Sequence, residues 1–350
     1  MAEMTDIFSR LPEVLLIWYH ENKRDLPWRQ DKDPYHIWLS EIMLQQTRVE
    51  AVKGYYHRFL QVLPTVEALA KADDELLYKL WEGLGYYSRV RNLKKAAIQI
   101  MEVHGGVFPR EYSEILALPG VGEYTAGAVG SIAFDLKTPA VDGNVLRLFS
   151  RLTDDATPID LPAYKAMIRK QLEKIYPAEA GDFTQALMEL GATICGPNRE
   201  PDCSVCPCKD FCLGRRKGTA PQLPVKSPKK QRRQEDMTVF ILRCGDRYAL
   251  QKRPEEGLLA GLWQFPNVSG KLEISDAISY VEQKELKPFE IIRQVEKKHI
   301  FTHIQWNMSG VYMKVAATIG DYEWLTADEI DTAAALPTAF RQFWEETGYV

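Results

Sequence analysis

Five of the six cysteines of this 350-residue chain fall between Cys195 and Cys212, in CGPNREPDCSVCPCKDFC. No other feature restricts the backbone as much, because thiols this dense must be turned inward together onto something. The N-terminus, MAEMTDIFSR, has no basic start followed by an apolar core, so a cytoplasmic protein is expected. In a reducing compartment such density argues for metal rather than disulfides. Cys195, Cys203, Cys206 and Cys212 are the candidate ligands, which leaves Cys208 over. Zinc prefers two paired knuckles, and only Cys203–Cys206 forms a clean C-x-x-C. Four thiolates in one loop suit an iron–sulfur cluster better, with zinc as the alternative. The pattern holds no position for an open catalytic ligand, so the expected role is structural.

Around this loop the chain divides in two. Helical periodicity with short Gly/Pro breaks marks residues 35–52, 75–81, 90–103, 112–117, 125–134 and 162–175. From 214 to 235 the composition turns to Pro, Lys, Arg and Gln, the mark of an extended basic linker. Then MTVFILRCGDRYALQKR reads as two strands around a Gly-Asp turn. A helix near 275–285 and strands at 290–295 and 310–316 follow. The expected architecture is an all-α domain over 1–213, carrying the cysteine loop at 195–212, then an α+β domain over 236–350. No apolar run approaches the roughly 20 residues that span a bilayer.

The net charge of −4 hides two acid-free basic clusters. One holds Arg89, Arg91, Lys94 and Lys95. The other runs from Arg215 through Arg216, Lys217, Lys226, Lys229, Lys230 and Arg232 to Arg233. Local stripes of this kind bind phosphates, although a solvated linker and a solvated helix face would look the same.

Two carboxylates stand out. Glu41, in HIWLSEIMLQQT, shares its helical face with Ile37 and Leu44, so it is expected to be desolvated and protonated near neutral pH. A protonated Glu is a general acid. Asp142, in TPAVDGNVLRL, precedes a helical run as an N-cap does. One raised acid and one ionised carboxylate are also the pair that breaks a glycosidic bond. In LPGVGEYTAG, Gly120 and Gly122 allow backbone amides to approach a phosphate at the start of a helix.

The motifs RDLPWR (24–29), SEIMLQQT (40–47), WEGLGYYSR (81–89), LPGVGEYTAGA (118–128) and VDGNVLR (141–147), with the cysteine loop, resemble the helix-hairpin-helix DNA glycosylases of the endonuclease III superfamily. They are most similar to its adenine-directed branch, over roughly residues 20–213. That resemblance implies a 4Fe–4S cluster on Cys195, Cys203, Cys206 and Cys212. It implies a monomer that acts on double-stranded DNA and excises adenine mispaired with 8-oxoguanine or guanine. Glu41 would then protonate the base and Asp142 would stabilise or trap the sugar cation. Asn144 would orient Asp142, and Tyr124 would line the site. Tyr124 occupies the slot where nicking members carry a Schiff-base lysine, so the chemistry would stop at base removal. Contacts to DNA would come from Arg24, Leu26, Trp28, Arg29, Gln46, Thr47, the wedge Tyr86, Gly120 and Gly122. A thymine- or pyrimidine-directed relative and a non-catalytic iron–sulfur DNA-binding protein are the competing expectations.

GLLAGLWQFP (257–266) and HIFTH (299–303) resemble the MutT-like, Nudix-fold domain with which such enzymes sense 8-oxoguanine, through Phe301, Thr302 and His303. No Glu-rich metal-binding helix follows Gly261, so a recognition module is expected rather than a pyrophosphatase. Two positions depart from the family pattern. Seven residues separate Cys195 from Cys203 where six are usual, and Thr302 stands in place of the usual serine.

Overall fold

The computed structural model describes residues 2–197, 200–228, 231–319 and 321–347. They form two compact units. One comprises Met1–Lys71 with Arg91–Lys229, the other Ala72–Val90 with Lys230–Val350. The helices in chain order begin with α1 (Ala2–Asn22), α2 (Pro34–Leu44), α3 (Val49–Val62), α4 (Val66–Lys71), α5 (Asp74–Trp81) and α6 (Ser88–Val103). Next come α7 (Tyr112–Leu116), α8 (Glu123–Phe134), α9 (Gly143–Thr153), α10 (Pro162–Glu173), α11 (Ala180–Thr193) and α12 (Leu213–Lys217).

The expected helix over 35–52 is interrupted. Asp33 caps α2 by accepting the Tyr35 amide at 2.8 Å, and α2 stops at Leu44. Gln46 then takes a left-handed φ of 60°, and α3 starts at Val49. No Gly or Pro announces this break, which is why periodicity alone runs through it. α2 is buried nearly all round, as expected of a helix at the centre of a bundle. It packs on α8, and α11 packs on α1, α8 and α9. Close approach demands glycine at position 127 of α8, where a Cβ would run into the Pro139 carbonyl oxygen.

The stretch expected to be a linker from 214 is folded at its start. α12 lies against α9, and a Cβ on Gly214 would stand 2.5 Å from the Arg151 carbonyl oxygen. Lys217 and Thr219 both bond Asp154. Strand structure begins at Arg233, earlier than expected. Lys229 and Lys230 of the basic stretch lie outside the described residues.

In the second unit the strands are β1 (Arg233–Cys244), β2 (Arg247–Lys252), β3 (Trp263–Gln264), β4 (Asn267–Ser269), β5 (Pro288–Ile300), β6 (Ile304–Val315) and β7 (Glu323–Thr326). The sheet runs β3-β2-β1-β6-β5, with β4 also on β1 and β7 also on β2. β1 and β6 are parallel and the other pairs antiparallel. The β1–β2 turn is the expected Gly245-Asp246, with Gly245 at φ 61°. Val239 and Ile241 face one core with Phe340 and Phe343 of α15 (Thr338–Trp344), after α14 (Ala327–Thr332). Phe240 and Leu242 face the other with Ala277 and Val281 of α13 (Ile274–Gln283). Burial on both faces explains why β1 reads as an apolar run and not as an alternation. β5 and β6 form one long hairpin whose tip is Phe301–His303, so the two strands extend well beyond their expected limits.

Residues 72–90 are tied to this second unit. Lys79 Nζ donates to the Ile330 and Ala334 carbonyls, the Glu82 carboxylate accepts the Leu336 amide, and Lys252 pairs with Glu75.

Gly127→Ala should destabilise the helical unit by about 1–3 kcal/mol, because the neighbour is backbone and cannot rotate away. Denaturant unfolding followed by probes in each unit checks this, and an unchanged helical transition would refute the packing argument.

Candidate active site

A cavity of about 620 Å³ lies wholly within the helical unit. Its wall combines the 24–29 segment, the α2 C-terminus with the break after it, the start of α8, the start of α9, and α11. Arg24, Leu26, Trp28, Arg29, Glu41, Gln46, Thr47, Tyr124, Asp142 and Asn144 all line it.

Glu41 is only 6% exposed, and Ile37 and Leu44, the neighbours expected on its face, line the same space. Burial pushes its carboxyl up to about 7. The hydrogen bond from Tyr124 opposes the rise, nearby Asp142 adds to it, and Arg29 opposes it. Tyr124 Oη donates to Glu41 Oε2 at 2.6 Å, which leaves Oε1 to carry the acid proton. Burial, reinforced by the Glu41 and Asp142 charges, holds the Tyr124 phenol well above its ordinary value. Tyr124 is thus a fixed donor near neutral pH.

Asp142 does two things at once. It caps α9 by accepting the Val145 amide at 2.8 Å, and it lines the cavity. Asn144 Nδ2 donates to its other oxygen at 2.6 Å. Burial raises its carboxyl, while these donors and Arg147 work against the rise and favour the anion.

Behind Asn144 a buried chain runs to the cysteine loop. Arg147 Nη2 donates to Asn144 Oδ1 at 2.8 Å and to the Gly191 carbonyl at 2.6 Å, and its Nε donates to the Cys195 carbonyl at 2.9 Å. Arg151, 3% exposed, donates to the same carbonyl at 3.0 Å and to Cys195 Sγ at 3.3 Å.

One buried residue of the cavity wall is missing from the sequence reading. Glu189, on α11, is 1% exposed and accepts Arg24 Nε at 2.6 Å, Arg24 Nη2 at 2.9 Å and Arg29 Nη2 at 2.8 Å. Burial alone would raise its carboxyl, but the Arg24 hydrogen bond and the Arg29 charge outweigh it and hold it below its ordinary value. Arg24 and Arg29 are accordingly held in an ion triad. The available signal was an acid among apolar neighbours in ALMEL, the same signal that singled out Glu41.

The hairpin glycines lie outside the cavity. Gly120, at φ 74°, is required by the fold, because a Cβ would stand 2.5 Å from Asn92 Cβ. Gly122 starts α8 at φ −98° with no atom within 4 Å of its Cβ position, so nothing inside the protein asks for glycine there. Tyr86, Phe301, Thr302 and His303 belong to the second unit and are not among the residues that line the cavity.

Cys195, Cys203, Cys206 and Cys212 line one small recess together with Arg151. Cys208 is fully buried and does not line it. Among the described residues, the only three potential ligand atoms within 4.8 Å of one another belong to His20, Glu179 and Asp182. Four thiols on one recess could hold a metal centre.

The HhH-GPD superfamily of base excision DNA repair proteins matches residues 39–177, and a NUDIX domain matches residues 238–346. The adenine DNA glycosylase of Homo sapiens is 34% identical over 94% of this chain and 73% of that protein. That of Mus musculus is 36% identical over 96% and 79%. The chain belongs to the adenine DNA glycosylases. It is a base-excision-repair glycosylase that hydrolyses N-glycosyl bonds. The chain spans 62% of the Arabidopsis thaliana adenine DNA glycosylase, at 34% identity.

Among solved structures, a thermostable thymine-DNA glycosylase is 30% identical with a TM-score of 0.56, covering 61% of this chain and 99% of its own. A non-covalent endonuclease III–DNA complex aligns at 25% identity and a TM-score of 0.50, covering 58% and 94%. Nearly all of each is thus matched by about three fifths of this adenine DNA glycosylase.

Cys203→Ser should lower the metal content of the glycosylase as isolated, whereas Cys208→Ser should retain it. Iron and zinc analysis after anaerobic purification checks this, and stoichiometric zinc without iron would contradict the spacing argument.

Proposed function

We propose that this glycosylase excises adenine paired with 8-oxoguanine or guanine in double-stranded DNA, by hydrolysis without strand nicking. The observation that carries the reading is the pair of unlike carboxyls in one cavity. Burial raises both, Glu41 up to about 7, and the Val145 amide, Asn144 and Arg147 work against the rise at Asp142. The target adenine must leave the stack to reach such a cavity. Glu41 gives its proton to a ring nitrogen of the flipped base, which then departs as a neutral leaving group. Asp142 stabilises the cationic sugar or bonds to C1′, and water supplies the final hydroxyl. Asn144 and the Val145 amide hold Asp142 in place, and Tyr124 holds Glu41.

The glycines at 120 and 122 would present backbone amides to a phosphate; the open space at Gly122 supports this reading. Tyr86 would serve as the wedge, Gln46 and Thr47 would contact the strand at the cavity mouth, and Phe301, Thr302 and His303 would read the 8-oxoguanine. A 4Fe–4S cluster on Cys195, Cys203, Cys206 and Cys212 would brace the loop that leads into the basic helix α12. The human adenine DNA glycosylase matches 94% of this chain and the thymine-DNA glycosylase 61% of it, which favours adenine over the thymine-directed alternative.

Duplexes carrying different mispairs, treated with hot alkali after reaction, distinguish these substrates. Glu41→Gln should fold and lower single-turnover excision by about 10²–10⁴-fold. The acid acts only while protonated, and its folded pKa is raised. Wild-type excision should therefore be full below about pH 7 and fall as pH rises through it. The residual rate of Glu41→Gln should lack that fall. A wild-type rate that does not decline on the alkaline side removes Glu41 from the role.

Tyr124→Lys should gain a borohydride-trapped adduct with the DNA product, because an amine replaces a phenol that cannot form an imine. Lys165 also lines the cavity, so trapping by the wild type would overturn the hydrolytic reading.

A further inference from the structure

One cation on the wall of the cavity has no task in the proposed function. Arg24, Arg29 and Lys165 all line that wall. The two arginines bond Glu189. Lys165 is half-buried, and among the described residues no side chain or carbonyl accepts from its Nζ. An ammonium has three donors and loses hydration on burial, so a half-buried one without an acceptor is costly unless an anion arrives from outside.

α10 fixes where this side chain goes. Its Tyr164, Ile168 and Leu172 recur every four residues and are buried in one core with Phe149 and Leu152 of α9. That stripe sets the roll of the helix. Arg169, four residues after Lys165 and so on the same face, pairs with Glu123 Oε1 at 2.9 Å and donates to Tyr112 Oη at 2.5 Å. Glu123 opens α8, between the glycine hairpin and Tyr124. α10 is therefore fastened to both α7 and α8, and Lys165 reaches the cavity from one turn nearer the start of α10. The groups that act on Asp142 are the Val145 amide, Asn144 and Arg147, and those that act on Glu41 are Tyr124, Asp142 and Arg29. Lys165 is in neither set, so neither carboxyl takes its charge.

We propose that Lys165 is a positioning residue that holds a phosphate flanking the flipped nucleotide at the mouth of the cavity. This rests on the reading of the cavity as one for a flipped adenine. Adenine and deoxyribose are uncharged, so the phosphates are the only anions that the substrate brings. A nucleotide turned out of the stack pivots about its backbone, and its phosphates stay at the mouth while the base enters. An ammonium left unpaired beside the sugar would oppose the positive charge that develops there as the base departs. A phosphate partner removes that opposition. It also keeps the amine protonated, without a lone pair to attack C1′, which agrees with hydrolysis rather than imine formation.

The test is binding of the full chain to a duplex with adenine opposite 8-oxoguanine, in which a fluorine at C2′ of the target sugar slows cleavage. Lys165→Met should weaken binding about tenfold at about 0.1 M salt and reduce the slope of log Kd against log salt by about 0.9, the share of one phosphate. Lys165→Arg should keep both values. A methylphosphonate in place of the phosphate 5′ or 3′ to the target removes one negative charge. At one of the two positions it should weaken the wild type as much as Lys165→Met does, and weaken Lys165→Met no further. Lys165→Gln replaces the methionine variant if thermal unfolding shows that one to be misfolded. An unchanged salt slope, or an equal methylphosphonate loss in wild type and variant at both positions, would overturn the inference. Excision from the unfluorinated duplex reads the function separately. If the wild type excises adenine and the slope is unchanged, only the role of Lys165 fails. If the wild type removes no adenine, the proposed function fails and the role of Lys165 with it.

Discussion

The Arg147 guanidinium is the contact on which the helical unit turns. It is 7% exposed and bonds Asn144, Gly191 and Cys195, and so joins the start of α9 to a stretch 44 to 48 residues further along the chain. A buried cation is costly unless its donors are engaged, and here they grip three main-chain carbonyls, of Gly143, Gly191 and Cys195, and the Asn144 side chain. Gly191 makes the arrangement possible, because a Cβ there would stand 2.7 Å from Asn144 Cβ. With Arg151 gripping Cys195 from the other side, the cysteine loop becomes a wall against which Asn144, and through it Asp142, is set.

That wall lets one cavity treat two carboxyls differently. Glu41 reaches the cavity from a helix buried nearly all round, and a single phenol answers it. Asp142 sits at a helix N-terminus, where backbone amides and the dipole favour charge. Desolvation raises both, and the donors around Asp142 work against the rise. Glu189 shows the third outcome within the same wall, where two arginines overcome burial and keep the acid ionised. The three carboxyls thus differ by what surrounds a common functional group.

The second unit works by a different constraint. β1 is buried on both faces, which fixes its place in the sheet between β2 and β6 and leaves the β5–β6 hairpin to project its tip. Its polar ties to residues 72–90 bring the loop carrying Tyr86 into the same body as that tip.

Local patterns in the sequence determined the features whose cause is itself local. The face of Glu41 followed from helical spacing to Ile37 and Leu44, and the cap at Asp142 from Asp-Gly-Asn before a helix. The four cysteines of the recess followed from their separations, and the two halves from a change of period. Tertiary structure alone decided the rest. The break at Gln46 has no breaker residue to announce it. The pairing of Glu189 with Arg24 spans 165 residues. The transfer of residues 72–90 to the second unit depends on partners such as Ala334, 255 residues from Lys79. Helical and strand periods report which side of an element is apolar. They do not report which distant charge will be buried beside it, because that choice is made by desolvation and shape once the elements have met.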